Sequence, residues 1–114
     1  MPPLRWAVML ADLDPVRGSE QRGLRPVLIV SNEEFNQAMP NVTVVPLTST
    51  RRRLYPSEVL LPSGHAGLTH DSIAMAHQIR TISKERLRDV WGHVDELSLR
   101  QAVLEAIKEH FDLE

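Results

Sequence analysis

Prolines and glycines cut this sequence into short apolar pieces, and that punctuation limits what the chain can fold into. Eight prolines and five glycines are spread over 114 residues. The runs between them are brief and rich in β-branched residues, which is the pattern of strands rather than of buried helices. Leu4 to Leu13 reads as a first strand and Pro26 to Val30 as a second, central one. Pro26 is expected at its first position, where no ladder donor is lost. Val42 to Leu47 reads as a third strand, with Pro46 marking an edge or a bulge. Glu58 to Leu61, Ser72 to Ile79 and Val90 to Val94 complete the strands. Asn32 to Ala38 has the signature of one helical turn, with Asn32 as N-cap and Glu33 and Glu34 in the first turn. Ser83 to Asp89 reads as a second short helix. The one long helix is C-terminal, where Leu99, Ala102, Val103, Ala106, Ile107 and Phe111 recur at helical intervals after a Ser98/Gln101 capping box. Many short strands and one terminal helix predict a mainly β, α+β fold: a small antiparallel β-barrel with helices packed on it. The length fits one domain spanning residues 1–114.

The segment from Asp12 to Asn32 carries the most chemistry. A polar loop, residues 14–24, runs without a helix signal into the second strand. It holds Arg17, Ser19, Glu20, Gln21 and Arg22, and Arg25 stands where the strand begins. Gly18 and Gly23 have the spacing of a phosphate loop, but Leu24 and Arg25 replace the required Lys and Ser/Thr, and Pro26 opens a strand instead of a helix. Two readings stand for the loop: a barrel loop with surface charges, or one wall of a phosphate-handling site. Arg25 either pairs with Asp12 or Glu20, or clamps a phosphate and stabilises a phosphorane. It is no general base, because guanidinium stays protonated.

Thr48, Ser49 and Thr50 end the third strand beside Arg51, Arg52 and Arg53. Ser49 and Thr50 read first as a turn bonding local backbone. Thr48, directly after the apolar run, is placed to donate a hydrogen bond to a phosphate oxygen. The three arginines are a solvated basic run or a track for a nucleic-acid backbone. Of five histidines, none has metal-motif spacing. His77, in an alternating strand with Ile73 and Met75 on its face, is either a half-buried strand histidine or a general acid/base.

Composition narrows the classes further. With no cysteine there is no disulfide, thiolate nucleophile or Cys-based zinc site. The net charge of -2 excludes a polycation. Eleven of the thirteen basic residues are Arg, whose planar fork suits phosphate and base edges. The start of the chain has no apolar signal segment and no run spans a membrane, so a cytoplasmic protein is expected.

Taken together, ADLDPVRGSEQRGLRPVLIVSN at 11–32, VTVVPLTST at 42–50 and GLTHDSIAMAHQIRTISKERL at 67–87 resemble the MazF/PemK/Kid family of bacterial toxin endoribonucleases from type II toxin–antitoxin modules. The resemblance covers nearly the whole chain. It implies an SH3-like or CcdB-like barrel, usually a homodimer, that cuts single-stranded RNA without metal or cofactor. The 2′-OH would attack the adjacent phosphate, leaving a 2′,3′-cyclic phosphate and a 5′-OH end. The family's catalytic positions fall on Arg25 and Thr48, with Glu20 in support. Arg17, Ser19, Gln21, Arg22, Ser49, Arg51, Arg52 and Arg53 are the expected RNA-binding side chains. A cognate antitoxin would lay an acidic, disordered segment over the dimer. The chain departs from the family where a first strand usually begins with Gly, then an acid, then an aromatic residue. Here Trp6, Ala7 and Met9 stand there, and His77 replaces a carboxylate found in some branches. Two other functions fit the same expected fold. One is a non-enzymatic toxin that binds a protein target such as gyrase. The other is a degenerate homologue that binds RNA or antitoxin without cutting.

Overall fold

The computed structural model describes residues 2–13, 18 and 23–114. Seven strands form one antiparallel system: β1 (Ala7–Asp12), β2 (Leu24–Ile29), β3 (Asn41–Thr48), β4 (Glu58–Leu61), β5 (Ser72–Met75), β6 (Arg80–Ser83) and β7 (Leu87–His93). Helix α1 (Glu33–Ala38) follows β2, and α2 (Leu97–His110) follows β7. The strand order is β4-β5-β3-β2-β1-β7, with β6 on β3. The barrel is therefore open, with β4 and β7 at its two ends.

Strand β3 joins its two halves. Its first half pairs with β6, from Asn41↔Ser83 to Val44↔Arg80, and its end pairs with β5 at Leu47↔Ala74 and Thr48↔Ile73. Its other edge pairs with β2 from Val27↔Pro46 to Ile29↔Val44. So β3 is central, not the edge strand that Pro46 suggested. Pro26 likewise lies third in β2, not first. Pro46 sits in the last β2–β3 pair, Val27↔Pro46, while Pro26 has no partner on β3 and pairs with Leu10 of β1.

The apolar runs are continuous because the central strands are buried on both faces. Val8, Leu28, Val45 and Leu47 face one core with Leu61, Val94 and Val103 of α2. Met9, Ala11, Val27, Ile29, Val42 and Val44 face a second core with Ile82. Burying a side chain of this size contributes about 1.5–3 kcal/mol.

The segment Ser72 to Ile79 is not one strand. All four residues of β5 are buried, and the chain then turns through a single 3-10 turn at Ala76–Gln78 before β6 starts on a different part of β3. His77 thus sits on the turn rather than on the strand face shared with Ile73 and Met75. The expected helix at 83–89 is a 3-10 turn at Lys84–Arg86, capped by Ser83 Oγ, and β7 already begins at Leu87. Helix α2 starts earlier than its proposed capping box. Glu96 is the N-cap, without a side-chain bond, and Ser98 lies inside the helix. The α1 cap is as expected: Asn32 Oδ1 accepts from the Glu34 N–H at 2.7 Å.

Two features fix the N-terminal segment. Glu33 of α1 accepts from the backbone N–H groups of Leu4 at 3.1 Å and Arg5 at 2.9 Å. Trp6 adopts a left-handed φ of 71° that favours glycine. Its strain is held by burial and by backbone bonds to Ile29 and Val94, with the guanidinium groups of Arg5 and Arg100 stacked near the indole. No helix among the described residues is long and apolar enough to cross a membrane.

Candidate active site

A cleft opens where the β2–β3 ladder ends. The last β2–β3 pair is Val27↔Pro46, and Arg25 and Thr48 lie two residues beyond it on their strands. Pro26 has no N–H with which to extend the pairing, and β3 leaves β2 to pair with β5 from Leu47 onward. The two strands therefore stop pairing two residues short of Arg25 and Thr48, which both line the cleft. Arg25 is held from the other side by its pairing with Ala11 of β1. The root of the loop is closed by the Asp12↔Leu24 pair and by the Leu13 N–H donating to the Gly23 carbonyl at 2.9 Å. Gly23 takes a φ of 77°, which suits glycine at this bend.

The cleft has a volume of about 170 Å³. Arg25 and Pro26 form one wall, Leu47, Thr48, Ser49 and Thr50 the floor and rim, and Leu68, Thr69, His70, Ser72 and Trp91 the far side. The Thr48 hydroxyl is oriented by its own turn. Its Oγ1 accepts from the Thr50 N–H at 3.2 Å and donates to Thr50 Oγ1 at 3.1 Å. Such a hydroxyl can be redirected from Thr50 to an incoming anion without moving its backbone. A fixed cation and a hydroxyl donor on opposing strands suit a group that gains negative charge as it reacts.

The expected binding residues divide sharply. Ser49 lines the cleft with Thr48, and Arg51 continues it past Ser49, His70 and Asp71. Arg52 is committed elsewhere. Its Nη1 and Nη2 donate to the two carboxylate oxygens of Glu58, each at 2.8 Å, and its guanidinium stacks on Tyr55. The Glu58 side chain is fully buried and also accepts from the Tyr55 N–H at 2.7 Å. The Arg52 bonds hold its carboxyl below the ordinary carboxylate range, against burial, which pushes it up. Arg53 is exposed and lends its carbonyl to Arg52. His77 belongs to this second cluster, with Nδ1 at 3.7 Å from Glu58 Oε2, and is absent from the walls of the Arg25 cleft. Arg17, Ser19, Glu20, Gln21 and Arg22 lie outside the described residues.

Sequence reasoning missed the far wall. His70 and Thr69 come from the turn before β5, and His70 Nδ1 lies 3.0 Å from Thr69 Oγ1. Trp91 comes from β7. They stand 45 and 66 residues along the chain from Arg25, and only strand pairing brings them to it.

Comparison with known proteins agrees with the fold. Residues 4–111 match the family model described as PemK-like, MazF-like toxin of type II toxin-antitoxin system. The chain is 42% identical to the endoribonuclease MazF9 of Mycobacterium tuberculosis, with 96% of each covered. It is 40% identical to the endoribonuclease EndoA of Bacillus subtilis over 81% of this chain and 80% of that one. Among solved structures it superposes on an endoribonuclease bound to its cognate antitoxin, from a mycobacterial species. There the TM-score is 0.80 at 31% identity, with 99% of this chain and 98% of that one covered. It also matches the Mycobacterium tuberculosis toxin MazF-mt6 at a TM-score of 0.78 and 32% identity, covering 95% and 98%. By its sequence along nearly its whole length, and by its fold, the chain belongs to the MazF-like, PemK-like toxins of type II toxin–antitoxin systems.

Proposed function

We propose that this chain is the endoribonuclease toxin of a type II toxin–antitoxin pair, and that it cuts single-stranded RNA in the Arg25–Thr48 cleft without a metal ion. The observation that supports the reading is that Arg25 and Thr48 line one cleft, just beyond the last pair of their two strands. In the reaction the 2′-oxygen attacks the adjacent phosphorus and the bond from phosphorus to the 5′-oxygen breaks. A singly charged phosphodiester becomes a doubly charged phosphorane on the way. Arg25 meets the added charge with a guanidinium that stays protonated, and the Thr48 hydroxyl donates to a second phosphoryl oxygen. The products are a 2′,3′-cyclic phosphate and a 5′-OH. The 2′-OH proton passes to solvent or to another group, since Arg25 cannot accept it.

Glu20 supports this centre from the loop, and Arg17, Ser19, Gln21 and Arg22 bind the RNA strand there. Ser49, Arg51 and Arg53 extend the binding track. Arg52 holds Glu58 and contributes to the track only through its charge. The protein acts in the cytoplasm as one toxin domain and as a homodimer, restrained by a cognate antitoxin whose acidic segment covers the cleft. Neither a poison of a protein target nor a non-cutting homologue requires an oriented hydroxyl in one cleft with an arginine, so the cleft favours the nuclease.

The test is incubation of the purified protein with a long RNA in EDTA, followed by mapping of the new ends. Discrete cuts bearing 5′-OH and cyclic phosphate ends are expected. Gyrase inhibition with no cleavage, or RNA binding with no product in any buffer, would replace this reading by one of the other two.

A further inference from the structure

We infer that Trp91 is a stacking platform for one unpaired base of the RNA, a base-binding subsite on the far wall of the cleft. The inference rests on the endoribonuclease reading above and adds a specificity-determining residue to it. Three independent observations place Trp91 there.

The first is the strand register. Val8 pairs with Gly92 and Met9 with Val90, so Trp91 is the extra residue of a β-bulge in β7. A bulge twists the strand and re-aims one side chain, and bulges are frequent beside active sites. The second is the backbone that supports it. A Cβ on Gly67 would lie 2.1 Å from the Trp91 carbonyl oxygen, and a Cβ on Gly92 would lie 2.6 Å from the Ala66 carbonyl carbon. Two glycines thus let the turn before Leu68 press directly on β7, and that turn continues into Thr69 and His70 of the same wall. Trp91 is fixed relative to the cleft by contacts that no side chain could relax. The third is exposure. The indole is 41% exposed and lines the cleft together with Arg25, Thr48 and His70. Trp6, the only other tryptophan, is 6% exposed and lies in the core.

A folded chain gains little by aiming a large aromatic ring into a cleft of arginine and hydroxyl donors unless the ring meets a flat apolar ligand there. Single-stranded RNA supplies both halves of the match. Its phosphate goes to the Arg25–Thr48 side, and a splayed base lies on the indole. Stacking tolerates any base but strengthens with ring size, so Trp91 biases the cleavage sequence toward a purine at the position it holds.

Tryptophan emission provides a readout separate from cleavage. The probe is a single-stranded oligonucleotide of 2′-deoxy nucleotides, which lacks the attacking hydroxyl and is not cut. It is expected to quench the wild-type emission, and the quench is expected to vanish in Trp91→Leu, where only Trp6 remains. In cleavage assays Trp91→Leu is expected to raise KM about 10-fold with kcat far less affected, and Trp91→Phe to restore most of the loss, as a lost base stack predicts. Trp91→Phe also guards against a misfolded variant. RNA cleavage by the wild type with no change in Trp91 emission would overturn the subsite and leave the nuclease standing. Quenching with no cleavage of any RNA would overturn the nuclease and leave the subsite standing. A wild-type KM in Trp91→Leu, or dissociation of that variant's dimer with no other defect, would show Trp91 to be a packing residue and overturn the inference.

Discussion

Two clusters, one around Arg25 and one around Arg52, 27 residues apart along the chain, put the same side chain in different settings. In the cleft, Arg25 and Thr48 line the walls just past the last pair of their two strands, and Arg25 is exposed. In the neighbouring cluster, Arg52 closes both prongs of its fork on a fully buried Glu58, with Tyr55 stacked on its face and His77 behind. The first arrangement lines a cleft that is open to a ligand from solution. The second satisfies a carboxylate that the fold has already buried. Charge in the sequence is therefore no guide to charge available for binding, and the run Arg51, Arg52, Arg53 divides accordingly. Arg51 lines the extension of the cleft, Arg52 is structural, and Arg53 is exposed.

Substitutions can break this contrast in order of expected effect. Arg25→Ala should lower single-turnover cleavage by about 100-fold or more, as for loss of one preorganised donor to a charged transition state. Its urea midpoint should stay near wild type. Glu58→Ala should do the reverse. It strands Arg52 and opens a buried site, so a loss of about 3 kcal/mol in urea unfolding is expected, with cleavage by the folded fraction largely kept. If Glu58→Ala abolished cleavage in fully folded protein, the two clusters would be one site.

A third effect is acid sensitivity, read at a carboxylate that belongs to neither cluster. Glu33, remote from both, is subject to burial that raises its pKa. Hydrogen bonds from the Arg5 N–H, Gln37, Asn36 and the Leu4 N–H outweigh that burial and hold it at about 2, against an ordinary 4.5. A depressed carboxylate contributes stability that is complete above its unfolded pKa and disappears as pH falls through the folded one. Stability from Glu33 should thus be full above about pH 4.5 and lost toward pH 2. Glu58 shifts the same way. Urea midpoints of wild type and Glu33→Gln should therefore converge in strong acid. A constant gap between them across that range would remove Glu33 from the account. The smallest effect concerns His77. Because it contacts Glu58 and does not line the cleft, His77→Gln should leave the pH–rate profile of cleavage unchanged. Loss of a limb near neutral pH would restore it as an acid or base.

Much of this architecture was legible in the sequence where local rules decide. The Asn32 cap, the strand Glu58–Leu61 and the terminal helix follow from residue types a few positions apart. The errors arose where partners decide. Alternation from Ser72 to Ile79 looked like one strand, because periodicity does not reveal that the chain changes neighbours at Ala76. Pro26 and Pro46 read as strand-start and edge or bulge markers, yet both lie within paired strands, because a proline forbids only the bond it would have donated. Arg25 and Thr48 were identifiable as residue types, but their meeting in one cleft depends on how β2 and β3 pair. Trp91 was illegible for the same reason, since a bulge exists only relative to the strand beside it.

The central claim, that Arg25 and Thr48 act on one phosphate, is tested most directly by a double-mutant cycle in single-turnover cleavage with EDTA present. Thr48→Val alone should cost roughly 10-fold or more, as for a hydrogen bond to a charged group. If the two side chains serve the same phosphorane, the losses are coupled. The double variant should then be little slower than Arg25→Ala, with an interaction energy of about 1 kcal/mol or more. Losses that simply multiply, or a wild-type rate in Arg25→Ala, would contradict the account.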